Sequence, residues 1–301
     1  MYHEKGMKQQ EIASRRGLSQ AGVSRLLKQA QDLGLVRTVV SVPPEVHPEL
    51  EERLEERYGL DQVVLVATES DADLMYGRLG NAAARYLEST VRARDVIGVS
   101  SWSESLLRAA RAMGSTANVS ATSIVQLVGG MGNTEVQVLA TQIMQLLSTR
   151  LKAEPVFMLT PAVMGSPFAA QTLREDPTFV KVSDIWDTVT VAVFGVGAIT
   201  PSALLARSGN SFREGDRERL AEAGAVGDVC LRYFDAQGTP VVGDFDDCVM
   251  SITREQLLRV PRRLAVAGGE KKYDAIRGCL LGGWATSLIT DAETAERLAD
   301  E

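Results

Sequence analysis

Hydrophobic positions along this chain follow two different periods. Residues 8–16 predict a short polar helix with Ile12 and Ala13 turned inward. Gly17 suits the left-handed backbone that closes a helix. Ser19 is a good N-cap for the helix that follows. There Val23, Leu26, Leu27, Ala30 and Leu33 recur at i, i+3, i+4, i+7 and i+10, one apolar face. Gln20, Ala21, Ser24, Arg25, Lys28 and Gln29 are left on the other side. Gly34 ends this helix. Residues 36–42 are rich in β-branched side chains and read as a wing strand, and Pro43-Pro44 reads as a linker. Residues 47–58 predict a charged helix whose thin apolar line is Leu50 and Leu54, suited to connecting two parts or pairing with another subunit.

From Val63 onward the texture changes. Short apolar runs at 63–67, 96–99, 123–127, 153–159, 188–193, 229–233 and 263–267 alternate with helical stretches at 71–92, 103–113, 134–150 and 270–280. Strand followed by helix, repeated, predicts an α/β fold: a mainly parallel sheet flanked by helices. Such sheets bind ligands beyond the carboxyl ends of their strands. The expected organisation is a helix-turn-helix domain over 1–44, a connector helix over 45–60 and an effector domain over 61–301.

Composition narrows the function. The chain has 301 residues, 45% of them hydrophobic, enough for a sizeable core. No apolar run reaches the roughly 18 residues that span a bilayer. The first residues carry no basic-then-apolar leader, so a cytoplasmic protein with no membrane partner is expected. Cys230, Cys248 and Cys279 are widely spaced and form no CxxC, and the two histidines are His3 and His47. Neither a metal site nor a cofactor is expected. Net charge is −7, which alone argues against nucleic acid, but its distribution argues otherwise. Residues 1–40 carry +4 and the remainder −11. A small cationic head still reaches phosphates while an acidic body stays off the DNA.

A helix-turn-helix lays its second helix in the major groove, with that helix's N-terminal residues at the base edges. Here those residues are Gln20, Ala21, Ser24 and Arg25. Glutamine suits adenine, arginine suits guanine, and alanine touches a thymine methyl. Lys28 and Arg15 are placed for phosphates. The plain alternative is an ordinary helical hairpin, against which the charge asymmetry and the wing-like strand both weigh. One head covers only a few base pairs, so a homo-oligomer, dimer or tetramer, is expected to span two half-sites on double-stranded operator DNA.

This head resembles a known family. Gln9-Gln-Glu-Ile-Ala13, Gly17-Leu-Ser19, Val23-Ser-Arg-Leu-Leu27 and Ala30-Gln-Asp-Leu-Gly-Leu-Val36 are similar to the head of the bacterial SorC-type, sugar-binding transcriptional regulators. In that family a further helix precedes this segment and ends in a Tyr-Tyr-like pair. This sequence opens at Met1-Tyr2, so the resemblance implies a head lacking most of that helix, with weaker core support for Ile12 and Val23.

Several glycine-bearing turns follow the predicted strands. Val96-Ile-Gly-Val-Ser100 leads into Ser101, Trp102, Ser103, Glu104 and Ser105, a polar loop at a helix start. Amides at such a start attract anions, and small hydroxyl residues let a ligand come close. Gly129, Gly130 and Asn133 lie in a second such loop, and Gly195 and Gly197 in a third. Asp228 stands between a loop and a strand, and Lys272 follows Gly268-Gly269 on the next helix. Taken singly, each glycine turn is equally well an ordinary tight turn. The dinucleotide fingerprint is not met, because Thr200 and Glu135 stand where its third glycine belongs. Together the loops offer amides, hydroxyls, one acid and one lysine, which suits a small polyhydroxylated ligand, phosphorylated or not.

The set also resembles the SorC-type sugar-binding domain nearly end to end. Pro161-Ala162, Gly224-Ala-Val-Gly-Asp228, Val260-Pro-Arg262, Ala267-Gly-Gly269 with Lys272, Ala275-Ile276 and Leu288-Ile-Thr-Asp291 carry the likeness. It implies a fold like the sugar-phosphate isomerase and glucosamine-phosphate deaminase group, and a sugar or sugar phosphate that alters operator affinity. It places Lys272 to meet a phosphate. The family loop after Trp102 usually reads Gly, then often Arg or Thr, then Thr, whereas this chain has Ser103, Glu104 and Ser105. A carboxylate at Glu104 repels phosphate and grips sugar hydroxyls instead. Trp102 either stacks on a sugar ring or fills core. Asp228 takes sugar hydroxyls or caps a strand edge. Asp291 reads as the N-cap of the last helix. An isomerase-like or deaminase-like enzyme is the alternative function, with Glu104, Asp228 and Lys272 as its acid-base groups. No histidine lies beyond His47, and an enzyme has no need of a cationic helix-turn-helix, so the regulator is the preferred reading.

Overall fold

A computed structural model describes residues 7–32, 47–100, 102–114, 120–130, 134–200, 212 and 215–300. The expected wing over 36–42, Gly34 and the Pro43-Pro44 linker lie outside the described residues, as do Ser101 and Asn133. The chain divides into two compact units, Met1–Pro44 and Glu45–Glu301.

In the first unit, α1 (Gln9–Arg16) and α2 (Gln20–Asp32) form the expected pair of helices. Gly17 closes α1 with φ 67°, a conformation that glycine enters without steric cost. Ser19 Oγ accepts the amide of Gly22 at 3.0 Å and so caps α2. Ile12, Ala13 and Val23 are buried, with Met7 and Leu27 packed against them, so Ile12 and Val23 do have core partners. Leu26 departs from the expected apolar face: it is 55% exposed, because the described packing covers only the Val23–Leu27 side of the helix.

The second unit opens with α3 (Pro48–Tyr58). In chain order there follow β1 (Gln62–Val66), α4 (Ala72–Thr90), β2 (Val96–Val99), α5 (Glu104–Ala112), β3 (Ser123–Gln126), α6 (Thr134–Leu151), β4 (Glu154–Val156), α7 (Pro167–Arg174), α8 (Pro177–Trp186), β5 (Val191–Phe194), β6 (Gly197–Ala198), α9 (Asp216–Glu222), β7 (Ala225–Val229), β8 (Arg232–Asp235), α10 (Asp244–Cys248), α11 (Arg254–Arg259), β9 (Arg262–Val266), α12 (Tyr273–Leu281), β10 (Ser287–Asp291) and α13 (Ala292–Asp300). Seven strands form one sheet in the order β1-β10-β9-β5-β2-β3-β4, every pair parallel. This is the expected fold class. Strand side chains alternate between two apolar layers, as a sheet covered on both faces requires. Ile97, Val99, Val191, Val193, Leu264 and Val266 pack with α4, α5 and α6. Val125, Leu127, Ala192, Phe194, Ala265 and Ala267 pack with α3, α8, α12 and α13 on the other side.

The helix read as a connector is fastened into this second unit. Leu54 is fully buried. Glu55 and Glu51 accept the outward amides of Val63 and Leu65 at 2.7 and 3.0 Å, which covers an edge of the sheet. Arg53 and Arg57 cap α13 by donating to the carbonyl of Ala299 at 3.1 and 3.2 Å.

Three sequence expectations are corrected. The run 229–233 is not one strand but the corner of a hairpin, in which Cys230 and Leu231 turn the chain at φ 53° and 65° between β7 and β8. These are the left-handed values of a two-residue hairpin turn. The run 153–159 contributes only three residues to the sheet, with Pro155 lacking an amide in its edge strand. The helix expected over 270–280 begins as a 3-10 turn, Glu270–Lys272, before α12.

Candidate functional site

The order of the sheet reverses between β2 and β5. From β2 the chain moves outward to β3 and β4, then returns to β5 on the other side of β2 and continues through β9 to β10. A crevice beyond the strand ends at such a point is where open α/β sheets take ligands. Here the segments after β2, β5 and β9 come together. Ser100 donates its amide to Val193 O at 3.0 Å. Gly195 lies so close to Ser103 that an added Cβ would stand 3.1 Å from its Oγ. Lys272 Nζ donates to Val196 O at 2.8 Å.

Asp228 joins this cluster from the small antiparallel sheet β6-β7-β8, where it pairs with Gly197 and Tyr233. It lies within β7 rather than between a loop and a strand. Its Oδ2 accepts the amide of Leu231 at 2.9 Å. Burial lifts its carboxyl to about 6, opposed by that hydrogen bond and by the charge of Lys272. Burial in turn lowers Lys272, while Asp228 pulls it back up. The two attract without an ion-pair contact among the described residues. There, nothing donates to Asp228 Oδ1, and Lys272 uses one of its three N–H donors. The thiol of Cys230 is pushed up to about 12, by burial first and then by Asp228, against a hydrogen bond with Ser100. Sequence reasoning names Gly197 only as a glycine of the third turn and attaches no site role to Val196 or Cys230. The glycine-bearing turn at 194–198 is the available signal for Val196, and Cys230 reads only as one of three widely spaced cysteines.

The other expected effector residues have local duties. Ser103 caps α5 by accepting the amide of Leu106 at 3.3 Å. Glu104 faces α4 and accepts Arg108 Nε at 3.0 Å, while the same guanidinium reaches Asp73 at 3.1 Å. One guanidinium thus faces two carboxylates, so the charge of Glu104 is only partly offset and the objection to a phosphorylated ligand stands in part. Ser105 is buried in α5. Trp102 is partly buried against the core, and its indole N–H has no partner among the described residues. Gly129 and Gly130 already donate their amides to Met250 O at 2.9 Å and Thr160 O at 2.6 Å. A Cβ on Gly129 would press within 2.5 Å of Pro161 O, so close backbone packing accounts for this glycine. Asp291 caps α13 as expected, accepting Thr294 N at 3.0 Å, and also holds the loop after β9 through Gly269 N at 2.6 Å.

In the first unit, Gln20, Ala21, Ser24, Arg25 and Lys28 are all exposed along one side of α2, and Arg15 is exposed on α1. No helix among the described residues is long and apolar enough to cross a membrane.

A helix-turn-helix head joined to an α/β unit in which a buried acid stands near a partly buried lysine defines a ligand-responsive DNA-binding regulator. Comparison with known proteins agrees. Residues 43–299 match the Sugar-bind family of sugar-binding domains, and residues 1–43 match the MarR family. The chain belongs to the SorC-type sugar-binding transcriptional regulators. It is 31% identical over 303 residues to the deoxyribonucleoside regulator of Bacillus subtilis, covering 100% of this chain and 95% of the relative. The crystal structure of the full-length sorbitol operon regulator SorC from Klebsiella pneumoniae superposes with a TM-score of 0.77 at 25% identity, covering 99% of this chain and 95% of that one. The sugar-binding domain of the transcriptional regulator DeoR from Pseudomonas syringae pv. tomato gives a TM-score of 0.65 at 38% identity, over 84% of this chain and 98% of that one.

Proposed function

We propose that a sugar, polyol or sugar phosphate binds at the carboxyl edge of the parallel sheet, between Asp228 and Lys272, and changes the affinity of α2 for operator DNA. One observation carries this reading: the carboxylate of the buried Asp228 and a partly buried ammonium, each with hydrogen-bonding capacity that no described group uses, converge where the strand order reverses. Leaving such groups unsatisfied is costly, and a ligand hydroxyl or phosphate oxygen relieves it. Lys272 takes the acceptor side of the ligand and Asp228 its hydroxyl donors. Backbone amides at the start of α5 support an anionic group there. Ser101 and Asn133, outside the described residues, stay candidate ligand contacts on the sequence pattern alone.

At the other end, Gln20, Ala21, Ser24 and Arg25 meet base edges, and Lys28 and Arg15 meet phosphates. The active species is a cytoplasmic homo-oligomer, since two heads are needed to span two half-sites. Ligand binding shifts the population of subunit arrangements, and operator spacing selects among them. The pair binds rather than catalyses: neither histidine, the usual proton shuttle of such sites, lies beyond His47. The relatives are named for sorbitol and for deoxyribonucleosides, which supplies the first probes. Thermal-shift measurements on the full chain with sorbitol, 2-deoxyribose and their phosphate esters test the site. Stabilisation that disappears in Lys272→Ala supports it, and equal stabilisation of parent and variant refutes it.

A further inference from the structure

On the middle strand of the small sheet, Asp228 is flanked by Gly197 on β6 and Tyr233 on β8. Residues directly opposite one another share a face, so the three form one row. Tyr233 fills its end of the row. It is 2% exposed, and its ring packs 5.6 Å from Phe245 and 6.2 Å from Phe212. The other end is left open by glycine, and the carboxylate lies in that opening. A Cβ built on Gly197 would overlap Asp228 Oδ1 and stand 3.0 Å from its Cγ. The three heavy atoms nearest to that Cβ all belong to this one carboxylate. Gly197 is not among the residues at positive φ, so its backbone does not itself demand glycine. Gly227 on the adjacent strand β7 differs: a Cβ there would meet Ala275 Cβ at 2.5 Å and Gly197 O at 2.7 Å, which is helix and strand packing.

We propose that Gly197 is a positioning residue of the effector site, whose missing side chain lets the Asp228 carboxylate lie against β6 with Oδ2 on the Leu231 amide. The relevance of this placement to ligand binding rests on the proposed effector site, but the placement itself does not. Any side chain at position 197 pushes the carboxylate off the sheet and away from Leu231. The groups that face Asp228, namely Lys272, Cys230 and Tyr233, stay where they are.

Two ligand-free measurements on the full chain test this. The first is a double-mutant cycle of G197A and D228A in urea at about pH 4, where the buried carboxyl is largely protonated and its displacement recovers little desolvation. Gly197→Ala lowers the unfolding midpoint of the parent and leaves that of Asp228→Ala unchanged or higher, because no carboxyl group is left to displace. The second is a carboxyl-13C aspartate titration, with the Asp228 signal assigned by its loss in Asp228→Asn. The inflection near 6 in the parent shifts down toward the ordinary carboxylate range in Gly197→Ala, as the displaced group gains water. An equal midpoint loss in both backgrounds, or an unmoved Asp228 inflection, overturns the inference. Neither measurement involves a sugar, so failure here leaves the effector-site reading to be judged by ligand binding alone.

Discussion

Replacing Asp228 by asparagine separates stability from function in one residue. The side chain is 7% exposed, and burial raises its carboxyl from 3.8 to about 6. A raised carboxyl pKa means that the native state prefers the protonated form. The associated stability is fully present below 3.8, is progressively lost as pH rises, and is gone above about 6. The gap of roughly two pKa units corresponds to about 3 kcal/mol at pH 8. Asparagine keeps the shape and an acceptor for the Leu231 amide but carries no charge. Asp228→Asn should therefore be more stable than the parent by about 1–3 kcal/mol at pH 8, the lower figure allowing for a weaker hydrogen bond to a neutral acceptor. The gain shrinks as pH falls from 6 toward 4. Urea unfolding followed by tryptophan fluorescence reads this directly, because Trp102, Trp186 and Trp284 all lie in the large unit. A variant no more stable than the parent at pH 8, or a difference that does not change with pH, would refute the reasoning. A confirmed gain would mark Asp228 as a destabilising charge kept for what it binds.

Two further predictions address other links. Arg25→Ala should weaken specific operator binding by about 1–3 kcal/mol, the worth of one good base contact, with little change in non-specific binding; equal operator affinities in a fluorescence-anisotropy titration would remove Arg25 from base reading. Leu54→Ala, at a fully buried position in α3, should cost about 2–5 kcal/mol in the urea transition of the large unit. A loss under about 1 kcal/mol would show that α3 is not part of that unit's core.

What could be read from the sequence was what local rules decide. Gly17, Ser19 and Asp291 end or begin helices through their own backbone freedom or side-chain oxygen, and each was identifiable from its neighbours. The parallel sheet was legible because strands covered on both faces read as short apolar runs. The hairpin corner at Cys230-Leu231 was not legible. Such turns ordinarily carry asparagine or glycine, and here a left-handed conformation is imposed on two buried residues whose packing offsets its cost. The partner of Glu104 was equally hidden. Arg108 is only one turn away, but its orientation depends on Asp73 from another helix. The approach of Lys272 to Asp228 depends on how the small sheet sits beside β5 and β9, a tertiary fact that spacing does not encode. Gly129 resembles a ligand cradle in sequence because a glycine needed for close backbone packing looks the same there as one needed for a ligand.

Operator affinity measured with and without effector, in the parent and in Lys272→Ala, tests the central claim most directly. A mobility-shift titration on operator fragments recovered by in vitro selection, run with sorbitol, 2-deoxyribose and their phosphate esters, supplies it. The account predicts that at least one of these probes changes parental operator affinity by roughly 5- to 150-fold, the usual range of allosteric coupling. It also predicts that Lys272→Ala binds the operator like the parent but no longer responds. A probe that shifts parent and variant alike, or that binds the large unit without altering operator affinity, would contradict it.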